Sequence, residues 1–168
     1  RSRNHAAARQ HSFFDTLTGL ACRERLMSEI TTLLARKQGL VFALISLDAL
    51  VQINEEYGYA SGDQVLQTLA QRLWAGRRNL ASRLSADRFV LVLPSDADTL
   101  SAQFELEQTM AELCEPILLG EHSVQPKLAC GVSIALQDAG SFEELLQHAE
   151  FALETARSRG NWSIEYYA

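Results

Sequence analysis

Leu80-Ala81-Ser82-Arg83-Leu84-Ser85-Ala86-Asp87-Arg88-Phe89-Val90-Leu91-Val92-Leu93-Pro94 is the stretch from which the fold is read. It divides into two short strands around a tight turn. The second half is an apolar, β-branched run stopped by a proline. The turn falls near Ser85-Ala86-Asp87, so Asp87 and Arg88 are expected at the tip. A tip held by a buried strand is a usual place for chemistry. A hairpin with a solvated turn is the plainer reading of the same residues.

Upstream, Leu40-Val41-Phe42-Ala43-Leu44-Ile45-Ser46-Leu47-Asp48 stays apolar until Ser46, the pattern of a central strand covered on both faces. Before it, Leu26, Met27, Ile30, Leu33 and Leu34 recur at helical spacing between Arg23 and Arg36, and Lys37-Gln38-Gly39 stops that helix. After Asp48 a short helix is expected to carry Leu50, Ile53 and Asn54 and to end at Gly58. Ser61-Gly62-Asp63 is read as the opening of the next helix, with Val65, Leu66, Leu69, Ala70, Leu73 and Trp74 on its apolar face.

Downstream of the hairpin, Leu100, Phe104, Glu107 and Ala111 fall on one helical line, widened by Leu106, Met110 and Leu113. Pro116 breaks that helix. Ile117-Leu118-Leu119 reads as a short edge strand and Gly120-Glu121-His122 as a turn. From Lys127 to Leu136 the residues alternate. Leu128, Cys130, Val132, Ile134 and Leu136 share one face; Ala129, Gly131, Ser133 and Ala135 share the other, small enough for a helix to pack close. Ser141 is an N-cap candidate with Glu144 at the capping-box position. The helix it starts carries Phe142, Leu145, Leu146, Ala149, Ala152, Leu153 and Ala156, stops at Gly160, and leads to a last strand over Trp162 to Tyr166. The irregular alternation of strands and helices, with two hairpins, predicts an α/β (α+β) fold with a mixed sheet flanked by helices.

A chain of 168 residues is one domain's worth. A net charge of −6 argues against a nucleic-acid partner, which would need a basic stripe. No run approaches the roughly 18 apolar residues of a membrane span. Three cysteines, Cys22, Cys114 and Cys130, are an odd number without metal-ligand spacing, which fits a reducing, cytoplasmic compartment. The four histidines are scattered and imply no zinc site. Residues 1–14, ending in Phe13-Phe14, favour helix but offer little to bury, and the chain opens on Arg1 rather than Met, as an excised piece would.

Five blocks of the sequence together resemble the GGDEF domain, the diguanylate cyclase family. They are Asp15-Thr16-Leu17-Thr18-Gly19-Leu20, Ser46 to Asn54, Gly58-Tyr59-Ala60-Ser61-Gly62-Asp63, Arg83 to Phe89, and Ala149 to Asn161. They match, in order and at family spacing, DxLTGLxNR, DxDxFKxIND, GHxxGD, RxGGDEF and ADxALYxAKxxGRN. The resemblance implies a core sheet of about five strands like the palm of nucleotide cyclases over residues 15–168. Residues 1–14 would then be a linker helix from an upstream sensor region, of a protein that could be membrane-anchored.

The family's cyclases join two GTP molecules into cyclic di-GMP, a reaction driven by positioning and by charge neutralisation from two divalent ions. The first metal carboxylate of the family falls on Ser46. Asp87 keeps the second, and the motif Glu beside it is Arg88, so the motif reads Ser85-Ala86-Asp87-Arg88-Phe89. The charge facing the ions falls from about −3 in the family to about zero. The phosphate-binding Lys of the second block is Val51; of the late basic pair, Arg157 is kept and Asn161 replaces the other. The product-inhibition motif falls on Gly76 and Asn79, without its Arg and Asp.

Asn54 and Asp63 match the residues that read the guanine edge, although Asp63 could equally cap a helix and Asn54 satisfy a loop. Arg83, Asp15 and Thr18 match structural positions. The expectation is a degenerate, catalytically silent domain without Mg2+, with nucleotide-binding residues Asn54, Asp63 and Arg157. It would sense GTP weakly and tune an adjacent phosphodiesterase (EAL) domain. The alternatives are a pure interaction or homodimerisation module and, less favoured, a residual cyclase.

Overall fold

Strand β1 (Leu40–Asp48) is the axis of this computed structural model, which describes residues 13–74, 80–95, 99–136, 139–160 and 162–168. Eight of its nine residues are buried. It is paired along its length on both sides, antiparallel to β3 (Arg88–Pro94) and to β6 (Lys127–Ala135). β2 (Leu80–Ser85) extends the sheet beyond β3, and β7 (Ser163–Tyr166) lies parallel beyond β6. The sheet order is β2-β3-β1-β6-β7, a mixed five-stranded sheet as expected.

Because strand side chains alternate, β1 feeds two cores. Val41, Ala43, Ile45 and Leu47 pack with α3 (Tyr59–Trp74) and α4 (Leu100–Leu113). Leu40, Phe42 and Leu44 pack with α1 (Arg23–Ala35) and α5 (Phe142–Arg159). The short helix α2 (Leu50–Tyr57) links β1 to α3.

The small face of β6 does what its composition suggests. A β-carbon built on Gly131 would lie 2.2 Å from the Ala149 carbonyl oxygen and 2.3 Å from the Leu153 nitrogen, so α5 rests on bare backbone there. Ser133 donates to the Leu145 carbonyl at 2.7 Å. At the helix start the Ser141 hydroxyl accepts from the Glu144 N–H at 3.2 Å, the anticipated cap.

Three expectations are corrected. The line of α4 through Leu100 and Phe104 faces solvent, at 70% and 61% exposure; the buried line is Ala102, Leu106, Thr109, Met110 and Leu113. Residues 117–119 form no edge of the main sheet. They are β4 (Ile117–Leu119) of a separate hairpin with β5 (His122–Val124). α3 begins at Tyr59, directly after Gly58, whose φ of 92° turns the chain out of α2. Asp63 therefore sits in its second turn and caps nothing. α1 stops at Lys37-Gln38-Gly39 as expected, closed by Lys37 in the left-handed region, while Gly39 is held tight against the Ser95 carbonyl. The entering helix expected over residues 1–14 lies outside the described residues except for Phe13 and Phe14, as do Gly76, Asn79 and Asn161. Among the described residues no helix is long and apolar enough to cross a membrane.

Candidate functional site

The β2–β3 turn is Ala86-Asp87, and the ladder shifts register between Arg83 and Ser85 just before it. The tip is tied to the sheet's axis, because the Leu47 N–H donates to the Asp87 carbonyl at 2.9 Å. Ser85 and Ala86 are exposed, and Phe89 is buried opposite Ile45 in the core shared with α3 and α4. One residue earlier, the register sets Arg88 directly across from Ser46. Directly paired residues of an antiparallel ladder point to the same face. For this pair it is the face that carries α5.

Ser46 is fully buried, and its hydroxyl has no hydrogen-bond partner. The Arg88 guanidinium pairs with its neighbour Asp87, Nη1 to Oδ2, at 3.4 Å. That same Nη1 is buried and makes no hydrogen bond of good geometry. Asp87 is nearly half exposed.

Asn54 and Asp63 come from α2 and α3, which meet at Gly58. Asn54 is half-buried and lies over Gly62. A β-carbon on Gly62 would stand 1.8 Å from its Oδ1, so only glycine leaves the amide where it is. That Oδ1 is buried and has no partner. Asp63 is exposed on the next residue. An amide and a carboxylate are groups that can pair with a purine edge bearing ring N–H and amino donors.

Arg157, near the end of α5, reaches Asp48 rather than open solvent, Nε to Oδ1 at 3.1 Å, and touches Glu154 one turn back at 3.3 Å. Asp48 was not singled out from the sequence. It is the last residue of β1, and its neighbour Ala49 sits in the left-handed region (φ 67°) where the chain turns into α2. Val51 on that helix is 63% exposed and offers no charge. Gly62 was likewise missed as a site residue; its fixed place in the third block was the only available signal.

Arg83 has a structural role. It grips Asp15 at 3.1 Å and donates to the Ala86 carbonyl at 3.0 Å, tying the hairpin tip to the first block. Asp15 also accepts from the Thr18 hydroxyl and N–H. Burial alone would raise the Asp15 pKa, but the Thr18 hydrogen bonds and the Arg83 ion pair outweigh it and hold the carboxyl below its usual value. β2 is fastened at the same place by Ser82, whose hydroxyl donates to the Ala21 carbonyl at 2.7 Å.

The structure thus brings Ser46, Asp87 and Arg88 together on one side of the sheet, places Asn54 with Asp63 across a helix junction, and holds Arg157 on Asp48. Among the described residues no three His, Cys, Asp or Glu side chains group as one ion would require.

Comparison with known proteins places this arrangement. The chain is 28% identical to the cyclic di-GMP phosphodiesterase NbdA of Pseudomonas aeruginosa over 170 residues, covering 98% of this chain and 22% of that protein. It is 27% identical over 161 residues to the bifunctional diguanylate cyclase/cyclic di-GMP phosphodiesterase MucR of the same organism, covering 90% of this chain and 23% of that one. The chain therefore spans about a fifth of the length of the curated relatives it matches. Among solved structures, the GGDEF domain of TpbB (YfiN) from P. aeruginosa superposes with a TM-score of 0.85 at 25% identity, over 92% of this chain and 94% of that one. A sensory box/GGDEF family protein from Caulobacter crescentus gives 0.78 at 28% identity, over 88% and 99%. Residues 12–163 match the family described as diguanylate cyclase, GGDEF domain. With that match covering most of its length, the chain belongs to the GGDEF domain family.

Proposed function

We propose that this GGDEF domain serves cyclic di-GMP signalling as a regulatory module that does not itself make cyclic di-GMP. The observation that carries the proposal is the Ser46–Arg88 pair across β1 and β3. Two divalent ions need several carboxylate oxygens in near-octahedral geometry. Here Ser46 offers a neutral, buried hydroxyl, Asp87 already holds Arg88, and Asp48 already holds Arg157. That donor set does not fit a two-ion centre, and no reaction step is built on one.

The guanine-facing pair supports a sensing role. Asn54 and Asp63 supply two or three hydrogen bonds, each worth about 0.5–1.5 kcal/mol net. With few phosphate contacts, GTP binding at a dissociation constant of roughly 0.1 mM or weaker is expected. We take the target of the signal to be an adjacent phosphodiesterase (EAL) domain, since two relatives of this chain are named cyclic di-GMP phosphodiesterases. A second reading, an interaction or homodimerisation module without nucleotide, draws support from the exposed Leu100 and Phe104 of α4.

The test is to incubate the purified chain with GTP and magnesium or manganese and to separate the products by chromatography. No cyclic di-GMP above the enzyme-free control is expected. Product that disappears on Asp87→Ala would refute the proposal.

A further inference from the structure

We infer that Arg88 is the cation of this site, binding the phosphate oxygens of a guanine nucleotide directly, so that binding needs no divalent ion. The inference rests on the GTP-sensing reading above and assigns the chemistry of its phosphate end.

The argument begins with register. Arg88 and Ser46 are direct partners, so their side chains share one face at the distance of a cross-strand pair. A carboxylate at position 46 would lie within reach of the guanidinium and neutralise it. Serine does not. Its hydroxyl is sealed from solvent, makes no hydrogen bond, and carries no charge. Position 46 therefore leaves the guanidinium uncommitted from across the strand.

Beside it in the turn, Asp87 lies 3.4 Å from Arg88 through a geometry that leaves the buried Nη1 without a hydrogen bond. A buried N–H with no acceptor costs free energy until an acceptor arrives. Asp87 is 45% exposed, so its ion pair with Arg88 is open to water and to competition from another anion. The guanidinium is a planar fork of N–H donors matched to phosphate.

At the α2–α3 junction, Asn54 Oδ1 is a buried acceptor without a partner. An unpaired acceptor at the base-reading end and an unpaired donor at the phosphate end are what a nucleotide, base and phosphate together, would satisfy. Arg157 contributes less, because Asp48 and Glu154 hold it.

The experiment is a titration of the whole 168-residue chain with GTP, followed by NMR, once in magnesium and once in EDTA. The expected result is the same dissociation constant, within about twofold, in both. Inorganic tripolyphosphate in EDTA should compete with GTP. Arg88→Ala should weaken binding in EDTA at least about tenfold, the loss of one charge-assisted hydrogen bond. Arg88→Lys, which keeps the charge and loses the fork, should fall between the two. Ser46→Asp should weaken binding in EDTA as Arg88→Ala does, by pairing with the guanidinium.

GTP binding that is lost in EDTA overturns the inference and leaves the GTP-sensing reading standing. So does binding in EDTA that Arg88→Ala leaves unchanged, or a failure of tripolyphosphate to compete. No GTP binding under either condition overturns both.

Discussion

Replacing Gly131 by alanine should loosen the domain by driving α5 off the sheet. The added β-carbon would stand 2.2, 2.3 and 2.7 Å from the Ala149 oxygen, the Leu153 nitrogen and the Leu153 Cα. All three are backbone atoms of one helix, so no side chain can swing aside. Ordinary contact begins near 3.4 Å, so α5 must retreat by about 1 Å. That retreat thins the contacts of Ala149, Leu153 and Ala156, all buried between helix and sheet. Forced insertion of a methyl into a packed core costs about 1–3 kcal/mol, and this site has little means to relax. About 3 kcal/mol is a sizeable part of the 5–15 kcal/mol that typically holds such a domain together. Urea unfolding followed by circular dichroism should show a midpoint lower by about 1–2 M with the slope unchanged. Gly140→Ala is the control, since nothing lies within 4 Å of its built β-carbon. A Gly131→Ala change below about 0.5 kcal/mol would refute the close seating of α5 on β6.

Two further expectations follow from the site. Asp15→Asn removes the Arg83 ion pair and should destabilise the domain at neutral pH by about 1–2 kcal/mol, measured by urea melts. Because the Asp15 pKa is lowered from 3.8 in the folded state, its contribution is present above that value and is lost as pH falls through the lower folded pKa. The stabilities of the wild type and of the Asp15→Asn variant should therefore begin to converge as pH falls below 3.8 and meet once it is below the folded pKa, and a gap that does not narrow over that range would contradict the assignment. Asp63→Ala should abolish GTP binding while leaving the melting temperature within about 2 °C, since Asp63 is exposed and does not cap α3. A large fall in melting temperature would mean that Asp63 supports the fold instead.

Much of the architecture was legible because it is written in local periodicity. The seven apolar residues expected inside α5 are all buried, and the split of β6 into a bulky and a small face is the split between its two cores. The hairpin was readable from a β-branched run and a turn. α4 was misread for a physical reason. Large apolar residues lie on both of its sides, Leu100 and Phe104 outside and Leu106, Met110 and Leu113 inside, and the buried positions Ala102 and Thr109 are small or polar and carry little signal. A three-residue strand such as β4 holds no information about its partner, which is why it was assigned to the wrong sheet. The site was legible residue by residue but not as geometry. Ser46, Arg88, Asn54 and Arg157 could be named as candidates. That Ser46 faces Arg88, that Gly62 makes room for Asn54, and that Asp48 restrains Arg157 depend on contacts between distant parts of the chain.

The doubly paired β1 has a consequence for how such a chain can change over generations. At position 46 the backbone is fixed by ladders on both sides, to β3 and to β6, whatever side chain stands there. Exchanging a buried carboxylate for a hydroxyl removes a desolvation penalty and disturbs none of the ladder bonds. The fold is therefore blind to the loss of an ion-binding group at this position, and even tends to benefit from it. Folding selects for the backbone of β1, chemistry for one side chain on it, and the two can part company by a single substitution. In this chain a carboxylate placed at 46 would first meet Arg88, its partner across the ladder.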